Sequence, residues 1–321
     1  MLSKIRRFRG QSVLFLAVTV VFLVFLYSRK REGKANVTIT KPVKTLFVTG
    51  WYGQLNNNLL LIINALFVGG LINRKVVCSK NEMFDFFDFS LFEQYGMFVE
   101  QSKEDIQTNG TTKIDKLRGI LLEDPAVLAL YINSGNHLQK QLAFSLLRWN
   151  EKHLSFMEFV LRDLGLTKRN FVAVHLRNLD LDCHLFIANY PKWIGERVNA
   201  SCPWNVSTVS KIVSDLQLNQ MPLFIASDGQ APTVDNGFFE REVISLGNFS
   251  SELKIPAKYV DLFVLSEARV LFGNFISTFS NNAASMMMTK YPQNVVIFSS
   301  PPLCEAGKSF WQCSRFAFWC M

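Results

Sequence analysis

Short apolar runs alternate with longer segments of helical periodicity along most of this chain. Runs of strand length predict buried strands at 45–50, 75–79, 171–176, 222–227, 270–274 and 294–300. Between two of them, apolar residues recur at helical intervals from Val206 to Leu216, which predicts a helix with one buried face. Strands that alternate with helices in this way are typical of an α/β protein with parallel, doubly wound sheets.

The pattern predicts two Rossmann-like domains that face a cleft. The first contains the strand at 45–50, a polar turn rich in Gly and Asn, and an apolar helix at 59–72, whose 14 residues are too few to span a membrane. A further helical segment at 142–164 ends before Gly165, a residue type favoured just after helices. We therefore expect an N-terminal domain at 44–165, a C-terminal ligand-binding domain at 166–300, and a tail rich in Cys and aromatic residues at 301–321.

The uncharged segment at 12–28 differs from the other apolar runs because basic residues flank it on both sides. Its 17 residues predict a short transmembrane anchor, which follows a cytosolic tail at 1–11 and precedes a stem at 29–43. Residues 1–34 hold eight Lys or Arg and one Glu, so they carry +7 of the total charge of +8. The remaining +1 indicates no nucleic-acid surface. We expect a type II membrane protein of the Golgi or endoplasmic reticulum with a lumenal C-terminal part.

Glycosylation sequons and cysteines agree with a lumenal location. The five sequons have their acceptors at Asn36, Asn109, Asn199, Asn205 and Asn248. The six cysteines are an even number, which predicts disulfides in an oxidising compartment. We favour a bond between Cys183 and Cys202, and a second within the set Cys304, Cys313 and Cys320. Scattered His residues and the absence of a Cys-x-x-Cys motif argue against a zinc site.

Polar residues follow four of the predicted strands. In parallel sheets, ligands bind outside the carboxyl ends of the strands, so these positions are candidates for a binding site. They are Asn56–Asn58, Arg177, Asp180, Asp228, Asn274, Ser277 and Thr278.

A diphosphate is a ligand that these side chains fit. Arg177 offers a planar fork of N–H donors that matches phosphate oxygens, and it keeps its charge at any working pH. Ser277 and Thr278 precede a helix predicted to begin near Phe279. The free N–H groups and the dipole at the start of a helix attract an anion.

Each residue also has a simpler structural interpretation. An Arg that follows a strand commonly forms a salt bridge, and Ser277 and Thr278 are common N-cap residues. Asp261, just before an apolar segment, is also explained as an N-cap. His175 lies within a strand pattern, which favours a packed core residue over a base. The methionines at 286–288 are predicted to lie in the core.

Several motifs resemble those of GDP-fucose-dependent fucosyltransferases. VHLRNLD, which contains Arg177, resembles their His-x-Arg-x-x-Asp motif. LFIASD and VDLFVLSEARVLFGNFISTFS are similar to the later part of protein O-fucosyltransferases. GQLNNNLLLIINALFVGGLINR is similar to the start of that family, from its Gly-Arg-Phe-Gly-Asn-Gln motif to its Leu-Asn-Arg motif. The resemblance covers about residues 45–300 and is strongest in the C-terminal half.

The resemblance implies a metal-independent, inverting glycosyltransferase of the GT-B type that uses GDP-fucose as donor and needs no cofactor. Arg177 would bind the β-phosphate and stabilise the departing GDP, and Asp180 is its partner in the motif. Such a role suits an oxocarbenium-like transition state, which needs a stabilised leaving group. The residues implied to contact the donor are Gly53, Asn57, Asp228, Asp261, Asn274, Ser277, Thr278 and Phe279. The acceptor is expected to be a Ser or Thr hydroxyl of a glycoprotein domain.

Departures from the family pattern leave three alternatives open. The first motif retains Gly53 and Asn57 but has Gln54, Leu55, Asn56 and Asn58 at its other positions. One alternative is an α1,2-fucosyltransferase that acts on a glycan, because the spacing around Arg177 fits that family too. Another is a metal-dependent GT-A glycosyltransferase in which Asp180 and Asp182 hold Mn²⁺ or Mg²⁺. The third is an inactive lumenal protein that binds without catalysing.

Overall fold

The structure is a computed structural model that describes residues 45–48, 55–71, 73–102, 137–176, 206–227, 243–249, 251–274 and 277–298. Contacts divide the chain into two compact units. The first extends to Gln139 and includes Leu146–Arg148, and the second contains Lys140–Ser145 and the chain from Trp149 onward. The predicted tail at 1–11, anchor at 12–28, stem at 29–43 and C-terminal segment at 301–321 lie outside the described residues.

The N-terminal unit is built on a short parallel sheet. In chain order its elements are β1 (Thr45–Val48), α1 (Leu55–Leu71), β2 (Lys75–Cys78), α2 (Met83–Phe86), β3 (Phe87–Asp88), α3 (Ser90–Glu93) and β4 (Val99–Gln101). Strands β1, β2 and β4 pair in that order, and both pairings are parallel. The β-α-β unit predicted from the apolar runs is therefore present.

Helix α1 is buried on almost every side, as its continuous apolar sequence predicts. It begins at Leu55 rather than at Leu59, so the Asn-rich segment predicted as a turn forms its first turn, with Asn56 buried. Its C-terminal end packs closely on the next strand. A Cβ on Gly69 would lie 2.8 Å from the carbonyl oxygen of Arg74, so only glycine fits there.

The segment predicted as one helix at 142–164 forms two. Helix α4 (His137–Leu146) is followed by the two-residue strand β5 (Arg148–Trp149) and then by α5 (Glu151–Asp163). The side chain of Asn150 accepts a hydrogen bond of 3.1 Å from the Lys152 N–H and starts α5 as its N-cap. Trp149 packs edge-on against Phe263 with ring centroids 6.0 Å apart.

The C-terminal unit has a five-stranded, all-parallel sheet in the order β10-β9-β6-β7-β8. Its elements after α5 are β6 (Val172–Leu176), α6 (Val206–Asp215), β7 (Leu223–Ser227), β8 (Val243–Ile244), a 3₁₀ turn (Leu246–Asn248), α7 (Ala257–Glu267), β9 (Val270–Gly273), α8 (Thr278–Lys290) and β10 (Val295–Phe298). The prediction of an α/β protein with parallel sheets is confirmed. The predicted cleft between two domains stays a prediction.

Contacts place the boundary between the units at residues 139–149, before the predicted position at 165. Helix α5 lies in the C-terminal unit and packs against α7. Helix α7 is itself buried nearly all round, from Tyr259 to Glu267. A buried helix needs covering on more than one side, and α5 supplies part of that cover.

Cys78 is a free, fully buried thiol on β2, and neither of the two favoured disulfides includes it. Burial raises its pKa to about 12, because the apolar surroundings disfavour the thiolate. The other five cysteines lie outside the described residues, and their disulfides stay predictions.

None of the helices in the described segments is sufficiently long and apolar to cross a membrane. Residues 12–28 lie outside the described segments, so the anchor stays a prediction.

Candidate functional site

The carboxyl ends of β6, β7 and β9 lie side by side because these strands are parallel neighbours. Near this edge the structure places His175 at the end of β6 and Asn274 directly after β9. Helix α8 begins four residues later, at Thr278. Polar groups from separate segments therefore meet where a parallel sheet presents its ligand site.

His175, Ser280 and Asn274 form a buried network at this edge. Nδ1 of His175 and Oγ of Ser280 share a hydrogen bond of 2.6 Å, and the same hydroxyl oxygen accepts the Asn274 N–H at 2.8 Å. Each of the three residues is at most 3% exposed. A buried polar group is stable only when it is hydrogen-bonded, and here one hydroxyl joins β6, the end of β9 and the first turn of α8.

The start of α8 has the features of an anion site. Ser277 is its N-cap, and its hydroxyl accepts from the Ser280 N–H at 3.4 Å. No Asp or Glu lies in the first turn, so no side-chain carboxylate there opposes the positive end of the helix dipole. The prediction that Ser277 precedes a helix is confirmed. Thr278, predicted to precede that helix, is its first residue.

Helix α8 buries an unusual set of polar side chains. Ser280, Asn281, Asn282 and Ser285 have no exposed surface, although Asn and Ser are usually found outside a protein core. Some bond to the helix itself: the Asn281 side-chain NH₂ donates to the Ser277 carbonyl at 2.8 Å. Polar packing thus surrounds the first turn of α8 instead of the aliphatic packing that fills the rest of the sheet.

Phe279 lies against the same network. Its ring is tilted by 33° to the His175 ring, with centroids 4.9 Å apart, and it is half-buried. His175 is therefore packed in the core, as its strand position predicted, but it also contacts two residues of the first turn of α8.

Asp261 occupies a different position from the one predicted by its N-cap interpretation. Pro256 is the N-cap of α7, which places Asp261 inside the helix, where it cannot cap the free N–H groups. It is half-buried and has no hydrogen-bond or ion-pair partner among the described residues. Burial raises the pKa of this carboxyl to about 7, because desolvation disfavours the carboxylate.

The remaining predicted site residues cannot be placed together with this network. Asn57 lies in the first turn of α1 in the N-terminal unit. Gly53, Arg177, Asp180, Asp182 and Asp228 lie outside the described residues. Within the described segments no three His, Cys, Asp or Glu side chains form a group that could hold a metal ion. The metal alternative at Asp180 and Asp182 therefore remains a hypothesis.

The sequence pattern alone did not single out Ser280 or its contact with His175. The only local signal is the spacing within STFS, where Ser280 is three residues after the N-cap Ser277. Residue pairs at this spacing cap helices, so the pattern explains Ser280 without any contact to a distant strand.

Comparison with known proteins supports the fold. No family model and no curated protein sequence matches this chain. The structure is similar to POFUT1 crystallised with GDP-fucose, with 14% sequence identity and a TM-score of 0.55 over 83% of this chain and 100% of that one. It is also similar to POFUT1 crystallised with GDP, with 14% identity and a TM-score of 0.57 over 81% and 99% of the two chains. The chain has the POFUT1 fold.

A weaker likeness, from which nothing further follows, is to the α-1,6-fucosyltransferase NodZ, with 12% identity and a TM-score of 0.44 over 76% of this chain and 92% of that one. At the level of fold, the POFUT1 likeness confirms the resemblance to protein O-fucosyltransferases seen in the sequence motifs.

Proposed function

We propose that this chain is a glycosyltransferase that transfers fucose from GDP-fucose to a hydroxyl acceptor. The observation that carries the proposal is the start of α8. A helix N-terminus free of acidic residues and backed by the His175–Ser280–Asn274 network lies at the carboxyl edge of a parallel sheet, in a fold shared with a protein crystallised with GDP-fucose.

The start of α8 would bind the diphosphate of GDP. Its free N–H groups and dipole favour an anion, and the hydroxyls of Ser277 and Thr278 are donors within the same turn. A single helix end stabilises a bound anion by only about 0.3–1 kcal/mol at an exposed site. A doubly charged leaving group therefore needs a cation in addition to the helix end. Arg177, which directly follows the described end of β6, would supply it.

Transfer would depend on stabilising the departing GDP more than on activating a strong nucleophile. Charge that develops on the β-phosphate as the bond to fucose breaks would be met by Arg177 and the first turn of α8. The proposed mechanism inverts the anomeric centre and uses no metal. Asn57, Asp228 and Asp261 are proposed to contact the nucleotide-sugar.

The biological setting is proposed from sequence features. The anchor at 12–28 and the five sequons support a type II membrane protein of the Golgi or endoplasmic reticulum, with its transferase part in the lumen. The motifs of the C-terminal half favour a Ser or Thr hydroxyl of a glycoprotein as acceptor, and a glycan is the alternative.

A nucleotide-sugar panel tests this function. The full chain, purified in detergent, is incubated with GDP-fucose, GDP-mannose, UDP-galactose and UDP-N-acetylglucosamine, each with and without a chelator. We expect GDP release from GDP-fucose alone, unaffected by the chelator. A preference for a UDP-sugar would overturn the donor assignment, and activity lost with the chelator would favour the Asp180–Asp182 metal site. Nucleotide binding without any sugar release would favour an inactive binding protein.

A further inference from the structure

Three phenylalanines form an aromatic cluster on the C-terminal unit, away from the start of α8 in sequence. Phe156 and Phe159 lie on α5, and Phe249 directly follows the 3₁₀ turn. The centroid of Phe249 is 6.3 Å from that of Phe156 and 6.1 Å from that of Phe159, and both contacts are edge-to-face. Phe156 and Phe159 are 6.4 Å apart. The three rings thus contact one another as a set.

The aromatic cluster is partly open to solvent. Phe159 is 42% exposed, and Phe156 and Phe249 are half-buried. The Nζ of Lys254 lies 6.0 Å from the centre of the Phe156 ring and covers one side. Adjacent aromatic rings that stay open to solvent form a candidate interaction surface. Three partly covered rings offer far less than the roughly 800 Å² that each partner contributes to a stable protein interface, so a small occupant fits better.

A glycosylation acceptor lies next to the aromatic cluster in the chain. Asn248, the residue before Phe249, is exposed and belongs to the sequon Asn248-Phe249-Ser250. Its Oδ1 accepts hydrogen bonds from the Ser245 N–H at 2.8 Å and from the Ser245 hydroxyl at 3.2 Å. Its side-chain nitrogen has no hydrogen-bond partner in the described part of the chain. The side chain is therefore held by its oxygen, which leaves the nitrogen available.

We propose that Asn248 carries an N-linked glycan whose first sugar packs on the exposed side of the aromatic cluster. The proposal rests on the lumenal location given above. Nδ2 would attack the anomeric carbon of a lipid-linked oligosaccharide diphosphate. The new bond joins Nδ2 to this carbon, the carbon–oxygen bond to the diphosphate breaks, and the lipid diphosphate leaves with the bonding electron pair. The amide loses one of its two protons and keeps Oδ1 as an acceptor, so both bonds from Ser245 survive.

The chemistry of a sugar suits this surface. One face of a pyranose ring carries C–H groups, and an aromatic face is the negative side of the ring quadrupole. Adjacent Cα atoms lie about 3.8 Å apart, so a sugar on Asn248 is attached one residue from Phe249, whose ring contacts the other two. Its hydroxyls stay in water, as a surface position requires.

The test uses the full chain, expressed in cells that retain high-mannose glycans and purified in detergent. Mass spectrometry of the peptide that contains Asn248 measures occupancy. Ser250→Ala removes the sequon but keeps Asn248 and its bonds to Ser245, and Ser250→Thr is the matched control that retains the sequon. We expect near-complete occupancy in the wild type and in Ser250→Thr, and none in Ser250→Ala.

Two glycosidases then separate the first sugar from the rest. An endoglycosidase that leaves one sugar should preserve the melting temperature, and an amidase that removes the whole glycan and leaves Asp should lower it by roughly 2–4 °C. The difference in melting temperature between the two treatments should be smaller in Ser250→Ala and in Phe159→Ala than in the wild type, by the same amount in each. The double variant should show no further decrease.

Four outcomes overturn the proposal. If other sequons carry glycans and Asn248 is unmodified, this inference alone is contradicted. If no sequon carries a glycan, the proposed lumenal location is contradicted as well. Equal melting temperatures after both glycosidases would show that the first sugar makes no contact. Dimers that Phe159→Ala dissociates would show that a second copy of the chain covers the aromatic cluster.

Discussion

At the two ends of the C-terminal sheet, buried polar groups are stabilised in different ways. At the carboxyl end, the His175 ring, the Ser280 hydroxyl and the Asn274 N–H bond to one another beside the start of α8. At the amino end, the buried Glu267 binds two partners. Lys290 Nζ lies 2.5 Å from one carboxylate oxygen, and the Tyr291 hydroxyl donates to the other at 2.9 Å.

The two ends differ in whether a side chain neutralises the local charge. At the amino end the carboxylate of Glu267 is paired with Lys290. Burial, together with this carboxylate, raises the pKa of Tyr291 to about 12. At the carboxyl end no Asp or Glu lies in the first turn of α8, so no carboxylate of that turn neutralises the helix dipole. We infer that the amino end serves stability and that the carboxyl end serves anion binding.

The largest expected effect is on turnover, through the cation proposed for the carboxyl end. Arg177→Ala should lower turnover by about 10²–10³-fold, because the departing GDP loses a fixed charge. Arg177→Lys, which keeps the charge but not the fork of donors, should retain more activity. GDP-fucose turnover is measured beside a thermal melt. Near-normal turnover in a folded Arg177→Ala variant would remove this residue from the proposed mechanism.

At the amino end we expect a loss of stability without a loss of binding. Lys290→Met removes the only cation paired with Glu267 among the described residues, and leaves a carboxylate that is 2% exposed. The free energy of unfolding should fall by about 2–3 kcal/mol, somewhat less than for a fully buried pair because Lys290 is half-exposed. Urea unfolding measures this change.

Lys168→Met is the matched control for that variant. Lys168 pairs with Glu158, and both side chains are about one-third exposed, so its loss should cost less than about 1 kcal/mol. Equal losses in the two variants would contradict the distinction between a buried and a surface pair. Weaker GDP binding by folded Lys290→Met would contradict the separation of the two ends.

A smaller effect is expected from the His175–Ser280–Asn274 network. In His175→Asn the side-chain amide can replace Nδ1 as a partner of Ser280, whereas in His175→Gln the amide lies too far along the side chain. His175→Gln should weaken GDP binding by about tenfold, which corresponds to the loss of about one hydrogen bond, and His175→Asn should weaken it less. Calorimetry with GDP measures the affinity of each. Similar affinities for both variants would mean that the contact with Ser280 does not position α8.

The smallest effect concerns Asp261, which contrasts with Glu267 on the same helix because it has no partner in the described segments. Its folded pKa of about 7 is above the ordinary value of 3.8, so the folded state binds this proton more tightly than the unfolded state. The resulting stability is complete below pH 3.8 and is lost as pH rises through 7. Asp261→Asn should remove this dependence and be about 1 kcal/mol more stable than wild type at pH 8.

Urea unfolding between pH 4 and pH 8 measures the dependence, with Asp215→Asn on the surface of α6 as a control for the loss of one charge. The assignment of this pH dependence to Asp261 would be contradicted if the stability of the wild type did not fall over this range. It would also be contradicted if the stability of Asp261→Asn fell as steeply as that of the wild type.

Local patterns predicted much of the fold. Helix α8 (Thr278–Lys290) begins one residue before the predicted start near Phe279 and ends directly before Tyr291-Pro292. Strands β6, β7 and β10 lie within the predicted runs. Boundaries failed where a distant contact decides them. The break between α4 and α5 holds Trp149, which packs on Phe263. Helix α7 begins at Ala257, so Asp261 lies inside it and not at its N-cap.

The sequence by itself determined the order and type of most elements, because hydrophobic periodicity is a property of neighbouring residues. It also indicated Ser277 as the residue before a helix, since an N-cap acts within one turn. Only the tertiary structure joined His175 to Ser280, which are 105 positions apart. It also gave Glu267 two partners, whereas Asp261 has none among the described residues. Burial and pairing depend on which segments pack together, and that packing converts isolated polar residues into a candidate anion site.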